Sequence, residues 1–232
     1  MKRFAAITMI LVIVFLIIVT IGYQCKTQQL NEKIANIEVK LDKYRSDSVD
    51  QATKFLNMNK ALIINYGLSK WEAHYYSIMF DDFSKAYNIP WEIYPSVIRI
   101  ESNFKGNAVS EKGAIGMTQL LESTGKGVAK KLGISYVEGE TLRNDLLNMI
   151  LGMTYLSERI QSSSLETGVK QYLGGPNCLR NAAKNDTVAC YVRAYKTTVM
   201  QEFVKLHYMS KGIGNDTVGL TNFDANLFKQ EN

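Results

Sequence analysis

The sequence predicts an all-α protein, and three observations carry that expectation. Apolar residues recur at spacings of three and four through most of the chain, no segment of any length alternates with period two, and proline and glycine gather at the ends of the periodic runs. A chain of 232 residues fits one domain with appendages. Its net charge of +5 is modest. The basic residues are scattered, with no zinc-finger spacing and no glycine-rich phosphate loop, so nothing points to nucleic acid. His74 and His207 are far apart in sequence and neither has a partner at metal-ligand spacing, so no metal site is expected.

The first element is a membrane anchor over residues 1–23. Phe4 to Tyr23 runs twenty residues without a charge, long enough to cross a hydrocarbon core. A signal peptide would carry a shorter apolar run, and Thr20-Ile21-Gly22 is a poor cleavage site, so the expectation is an uncleaved anchor. Charge does not orient it, because Lys2 and Arg3 on one side are nearly balanced by Lys26, Lys33 and Lys40 on the other.

A helical stalk follows over residues 24–69. Leu30, Ile34, Ile37, Leu41 and Tyr44 form a short a/d seam. Two heptads fit self-association and packing on the chain's own domain equally well. Ser46-Asp47-Ser48 reads as a break. The next helix opens a domain over residues 70–209 and is expected to turn Trp71, Tyr75, Ile78, Met79, Phe83 and Tyr87 toward the core, an aromatic stripe read as packing and not as a platform for sugars.

The segment from Trp91 reads WEIYPSVIRIESNF. Pro90 suits a helix start, whereas Pro95 implies either a kink or a start further along. Tyr94, Val97, Ile98 and Phe104 share one helix face, and Glu101 falls on that face, three residues after Ile98 and three before Phe104. Burying a lone carboxylate costs several kcal/mol unless it is paired or stays protonated. A half-buried, protonated Glu suits general-acid catalysis. Glu111 and Glu122 are the neighbouring carboxylates, and both read as solvated side chains.

Four motifs follow in order: Glu101-Ser102-Asn103-Phe104; Ala108-Val109-Ser110; Gly113-Ala114-Ile115-Gly116-Met117-Thr118-Gln119; and Gln171-Tyr172-Leu173-Gly174-Gly175-Pro176. Between the last two, Leu142, Asn148, Gly152, Tyr155 and Leu156 keep helical spacing. Over roughly residues 70–205 the chain resembles the soluble lytic transglycosylase family, lysozyme-like enzymes that cut peptidoglycan glycan strands. The resemblance implies a lysozyme-like helical domain with Glu101 as its catalytic acid, and no metal or organic cofactor. It implies that Glu101 protonates the oxygen between N-acetylmuramic acid and N-acetylglucosamine, then deprotonates the 6-hydroxyl as it closes on C1, giving a 1,6-anhydro sugar. It further implies substrate contacts from Ser110, Gln119, Tyr172 and Met117, with Tyr172 close to the catalytic carboxyl. Each has a structural alternative: Ser110 can cap a helix, Gln119 can satisfy a buried backbone group, and Tyr172 can be core. Gly113 and Gly116 are expected to allow close backbone approach, and Asn148 and Gly152 to serve helix packing.

Two positions depart from the family pattern. Thr118 stands where methionine is usual and is expected to cost the cleft an apolar wall. Leu173 stands where asparagine is usual and is expected to cost it a polar side chain. The substrate implies a single-pass protein of the cytoplasmic membrane with its domain facing the wall. The partners implied are glycan strands, the membrane, and a second copy or an envelope machine through the stalk. Two further functions stay open: a hydrolytic muramidase on the same fold, which needs a second carboxylate or a positioned water, and a non-catalytic glycan-binding scaffold. Cys178 and Cys190 bracket a polar loop after the Tyr172 turn. They either pair, with about 3 kcal/mol of stabilisation, or remain two thiols. Cys25 is left over near the membrane. The polar, Gly- and Asn-containing run over 210–232 reads as a loose tail.

Overall fold

A computed structural model describes residues 2–175 and 177–211. The tail expected over 210–232 lies outside the described residues from 212 onward, as does Pro176 in the turn after Tyr172. The architecture is all-α. Its helices are α1 (Lys2–Tyr66), α2 (Lys70–Tyr87), α3 (Ile93–Ser102), α4 (Glu122–Leu132), α5 (Asp145–Gln161), α6 (Leu165–Gly174), α7 (Cys178–Ala182) and α8 (Asp186–Ser210), with a 3-10 turn at Thr141–Arg143. Among the described residues, β-pairing is limited to the isolated bridges Val109–Ile115 and Ile115–Leu120.

The chain divides into two compact units, Met1–Thr53 and Lys54–Asn232. The first is a stretch of α1 whose described side chains are all exposed. It includes the seam residues Leu30, Ile34, Ile37, Leu41 and Tyr44. By length and composition α1 can cross a membrane, since one 18-residue window reaches a mean hydropathy of 2.2 with none of it buried. The break expected at Ser46-Asp47-Ser48 is absent. The helix runs through it, and the Ser48 hydroxyl donates to the Tyr44 carbonyl at 2.8 Å, which absorbs the polar side chain into the helix.

The second unit begins at Lys54 and not at residue 70, because the last turns of α1 belong to its core: Met58, Ala61 and Leu62 are fully buried there. Ser69 and Glu72 form a reciprocal capping box that starts α2, and Asn88 in the left-handed region ends it. The face that α2 buries is Ala73, Tyr76, Ser77, Phe80 and Asp81, while Trp71, Tyr75 and Ile78 are exposed. The expected stripe is therefore turned away from the core at its N-terminal half, although Met79, Phe83 and Tyr87 do pack against it. Two polar residues fit the buried face because both are satisfied: Ser77 by Asn59 at 2.8 Å, and Asp81 by Lys54 and Lys85. Helix α3 starts at Ile93, so Pro95 lies in its first turn, where a missing N–H costs no intrahelical bond. Leu151, Met153 and Leu156 of α5, Val169 of α6, and Val199, Met200, Phe203 and Leu206 of α8 complete a core in which α5 packs on α6 and α8 on α3.

Candidate active site

Helix α3 brings Glu101 to within one residue of its own end. Its apolar face, Ile93, Tyr94, Val97 and Ile98, is buried, which fixes the rotation that leaves Glu101 half-buried. Two consecutive left-handed residues stop the helix, Asn103 at φ 54° and Phe104 at φ 61°. Asparagine tolerates that region, whereas a phenylalanine there needs support. The support is aromatic: the Phe104 ring meets Tyr66 at 5.0 Å and stacks on Tyr76 at 5.8 Å. The Ser102 hydroxyl donates to the Met117 carbonyl at 2.7 Å, tying the helix end to the loop 108–120.

That loop is closed by backbone bonds, Gly116 N–H to the Ala108 carbonyl at 2.8 Å and a reciprocal Ile115–Leu120 pair. It is latched to α5 through Asn148. Thr118 donates to Asn148 Oδ1 twice, from its amide at 2.9 Å and its hydroxyl at 2.7 Å. Asn148 Nδ2 donates to the carbonyls of Ile115 at 2.8 Å and Leu142 at 3.0 Å. A Cβ at Gly116, which has φ +79°, would run into the Asn148 amide. The close approach expected of Gly116, and the packing expected of Asn148, are both present. Thr118 is 2 % exposed and engaged with α5, so it replaces no wall of a cleft; it is a buried connector.

Above this floor, α6 and α8 supply two tyrosines, Tyr172 and Tyr195, each 8 % exposed. The Tyr195 hydroxyl donates to Glu101 Oε1 at 2.5 Å. Tyr172, expected close to the carboxyl, feels the Glu101 charge and donates its own hydroxyl to the Thr118 carbonyl at 2.6 Å. Burial first, and the Glu101 charge second, push both phenols well above their ordinary pKa. The carboxyl itself is raised to about 7, because burial disfavours its charge more than the Tyr195 hydrogen bond favours it.

The remaining expectations fare differently. Ser110 sits in an exposed turn and accepts the Ala114 N–H at 3.0 Å. Gln119 occupies the left-handed region at φ 49° and donates Nε2 to the carbonyls of Gly116 at 2.9 Å and Ala108 at 3.2 Å, so its amide group braces the loop. Met117 is a correction: at 1 % exposure it has no surface for substrate and lies under the site, with the Tyr76 hydroxyl 3.7 Å from its sulfur. Leu173 packs against the core, a placement that suits an apolar side chain. Glu122 is not merely solvated, since it is held by the Tyr136 hydroxyl and by the Gly139 N–H at 2.9 Å. Cys190 is a free, exposed thiol on α8, so the expected bridge is not formed there; the Cys178 side chain lies outside the described residues. Tyr195 was not anticipated. Its signal is the buried stripe Val192, Tyr195, Val199, in which a phenol must find an acceptor.

A single desolvated carboxyl at a helix end, flanked by two buried phenols within an all-α core, defines a lysozyme-like helical domain. Residues 78–189 match the family model described as "Transglycosylase SLT domain". Two solved structures share the fold. One is an inactive mutant of the lytic transglycosylase Slt from Pseudomonas aeruginosa, at 21 % identity and TM-score 0.50 over 59 % of this chain and 24 % of that one. The other is the 70 kDa soluble lytic transglycosylase from Escherichia coli, at 18 % identity and TM-score 0.50 over 70 % of this chain and 32 % of that one. This chain thus spans a quarter to a third of the length of either protein.

Proposed function

We propose that this chain is a membrane-anchored peptidoglycan lytic transglycosylase with Glu101 as its one catalytic acid and base. The observation that carries the reading is the state of that carboxyl. Half-buried and with a pKa near 7, it holds a proton to donate at neutral pH and can take one back in the next step. The Glu101 proton moves to the glycosidic oxygen as its bond to muramic C1 breaks. The substrate's own N-acetyl oxygen stabilises C1, which removes the need for a second protein carboxylate. The Glu101 carboxylate then takes the proton of the 6-hydroxyl as that oxygen bonds to C1, releasing a 1,6-anhydro end and restoring the acid. No water is consumed.

Tyr195 keeps the carboxylate aimed and eases its brief negative charge. Ser110 uses its hydroxyl oxygen as an acceptor within its exposed turn, which leaves its O–H as the donor for the N-acetyl oxygen in this reading. Gln119, whose Nε2 is bound to the backbone, faces glycan through its carbonyl oxygen, and Tyr172 holds the loop beneath the strand. The apolar start of α1 supports single-pass anchoring in the cytoplasmic membrane with the domain on the wall side, and the exposed Leu30–Tyr44 seam supports pairing between two anchored copies.

Purified sacculi treated with the full chain and analysed by mass spectrometry test the reaction. Products ending in 1,6-anhydromuramic acid are expected. Reducing ends would assign hydrolysis instead, and intact sacculi would overturn both.

A further inference from the structure

Between α2 and α5 lies an open groove of about 470 Å³, lined by Trp71, Glu72, Tyr75, Tyr76, Asn144 and Asp145 among others. We propose that this groove is a second carbohydrate site that seats an N-acetylated hexosamine ring of a glycan strand. The proposal rests on the function proposed above for the nature of the polymer. The groove itself is argued from its own chemistry.

Trp71 and Tyr75 are four residues apart, on one face of α2, and the domain leaves them uncovered, Trp71 at 84 % and Tyr75 at 43 % exposure. The rings one and five positions past Tyr75, Tyr76 and Phe80, are buried. Tyr75 meets Tyr76 at 5.7 Å between ring centroids yet keeps part of its ring in solvent, and Trp71 beside it is almost wholly open. Their apolar faces match the C–H face of a pyranose, and a polar rim is needed for the hydroxyls at its edge. The rim is Glu72, Asn144 and Asp145, which supply acceptor oxygens. Glu72 and Asn144 are already held rigid, the first in the capping box and the second as cap of α5, its Oδ1 accepting the Leu147 N–H at 3.0 Å. Two carboxylates on the rim repel phosphate and other anions, an objection that a neutral sugar does not meet. The volume lies within the span of small-ligand clefts, about 300–1,000 Å³.

The groove also shares its wall with the segment that follows Glu101. Tyr76 stacks on Phe104, three residues past Glu101, and Asp145 lies directly against Gly106, where a Cβ would collide with its carboxylate. A strand held here and in the site of Glu101 would be bound twice by one rigid body, which raises the effective concentration of the second contact.

Trp71 is itself the probe, because the other tryptophan, Trp91, is 6 % exposed. Chitotetraose, which has hexosamine rings but no peptide, is titrated into full-length Glu101→Gln protein in detergent while tryptophan emission is recorded. A saturable blue shift is expected, and it should vanish in Glu101→Gln/Trp71→Ala. No shift, or the same shift without Trp71, overturns the groove whatever the activity. In the active chain, Trp71→Ala and Tyr75→Ala should each raise KM for sacculi about tenfold with unchanged thermal melting; an unchanged KM overturns the proposal. Sacculi stripped of stem peptides should be retained equally well by Glu101→Gln, and loss of that retention would assign the groove to peptide. If the titration succeeds but sacculi yield no anhydro ends, the function reading fails alone.

Discussion

Two buried carboxyl groups sit on neighbouring helices of this domain and do opposite things. Asp81, on α2, is 1 % exposed and receives Lys54 Nζ at 2.5 Å and Lys85 Nζ at 2.6 Å. Burial alone would raise its pKa, but hydrogen bonds and charge from the two lysines outweigh it and leave Asp81 below the ordinary value. Glu101, on α3, has one neutral partner, Tyr195, and burial wins. The partner decides whether a buried acid is a fixed charge or keeps a proton near neutral pH. A cation beside Glu101 would make it a second Asp81 and remove the proton that the proposed reaction needs.

The largest test of this contrast is Glu101→Gln, which should lower cleavage of sacculi by more than about a thousandfold while the fold persists. It should also stabilise the protein at alkaline pH. A carboxyl whose folded pKa exceeds its unfolded value binds its proton more tightly in the fold, so the native protein loses stability from about pH 4.5 to pH 7 and no further beyond. Removing the group returns at most about 3 kcal/mol above pH 7, at 1.36 kcal/mol per pKa unit, and a melt at pH 8 reads it. A lower melting temperature in the variant would break the argument. Asp81→Ala is expected to do the reverse, costing about 1–2 kcal/mol by denaturant titration because both lysines keep half their surface in water. Its folded fraction should cleave normally.

Tyr195→Phe should give a smaller, more telling change. The lost hydrogen bond favours the charged acid, so the pH at which activity falls should move upward, with about a tenfold loss of rate at neutral pH. Wild-type activity should fall as pH rises through about 7, and a flat profile into the alkaline range would remove Glu101 from the role of acid.

What the sequence disclosed follows from how local each signal is. Glu101 was legible because its own helix places it one turn beyond Val97 and Ile98, although Phe104 lies past the helix end in the left-handed region. The Asn148 latch was legible as spacing, though not as hydrogen bonds. The orientation of α2 was not, since two stripes compete there, and the choice depends on Lys54, a residue 27 positions away that makes Asp81 acceptable in the core. Tyr195 lies 94 positions from Glu101, and nothing local ranks it above Tyr172. Ser46 to Ser48 misled because isolated polar residues inside a long helix are absorbed by their own backbone.

The floor beneath Glu101 also sets a chemical lifetime. Met117 is 1 % exposed, and its own backbone carbonyl is the one that ties down Ser102. Sulfoxide at Met117 would force a polar, bulkier group into that floor. Peroxide reaches it only when the domain opens, so inactivation by oxidant should keep time with the opening measured by hydrogen exchange and be indifferent to peroxide concentration once opening is limiting. The sulfur is a clock on the fold.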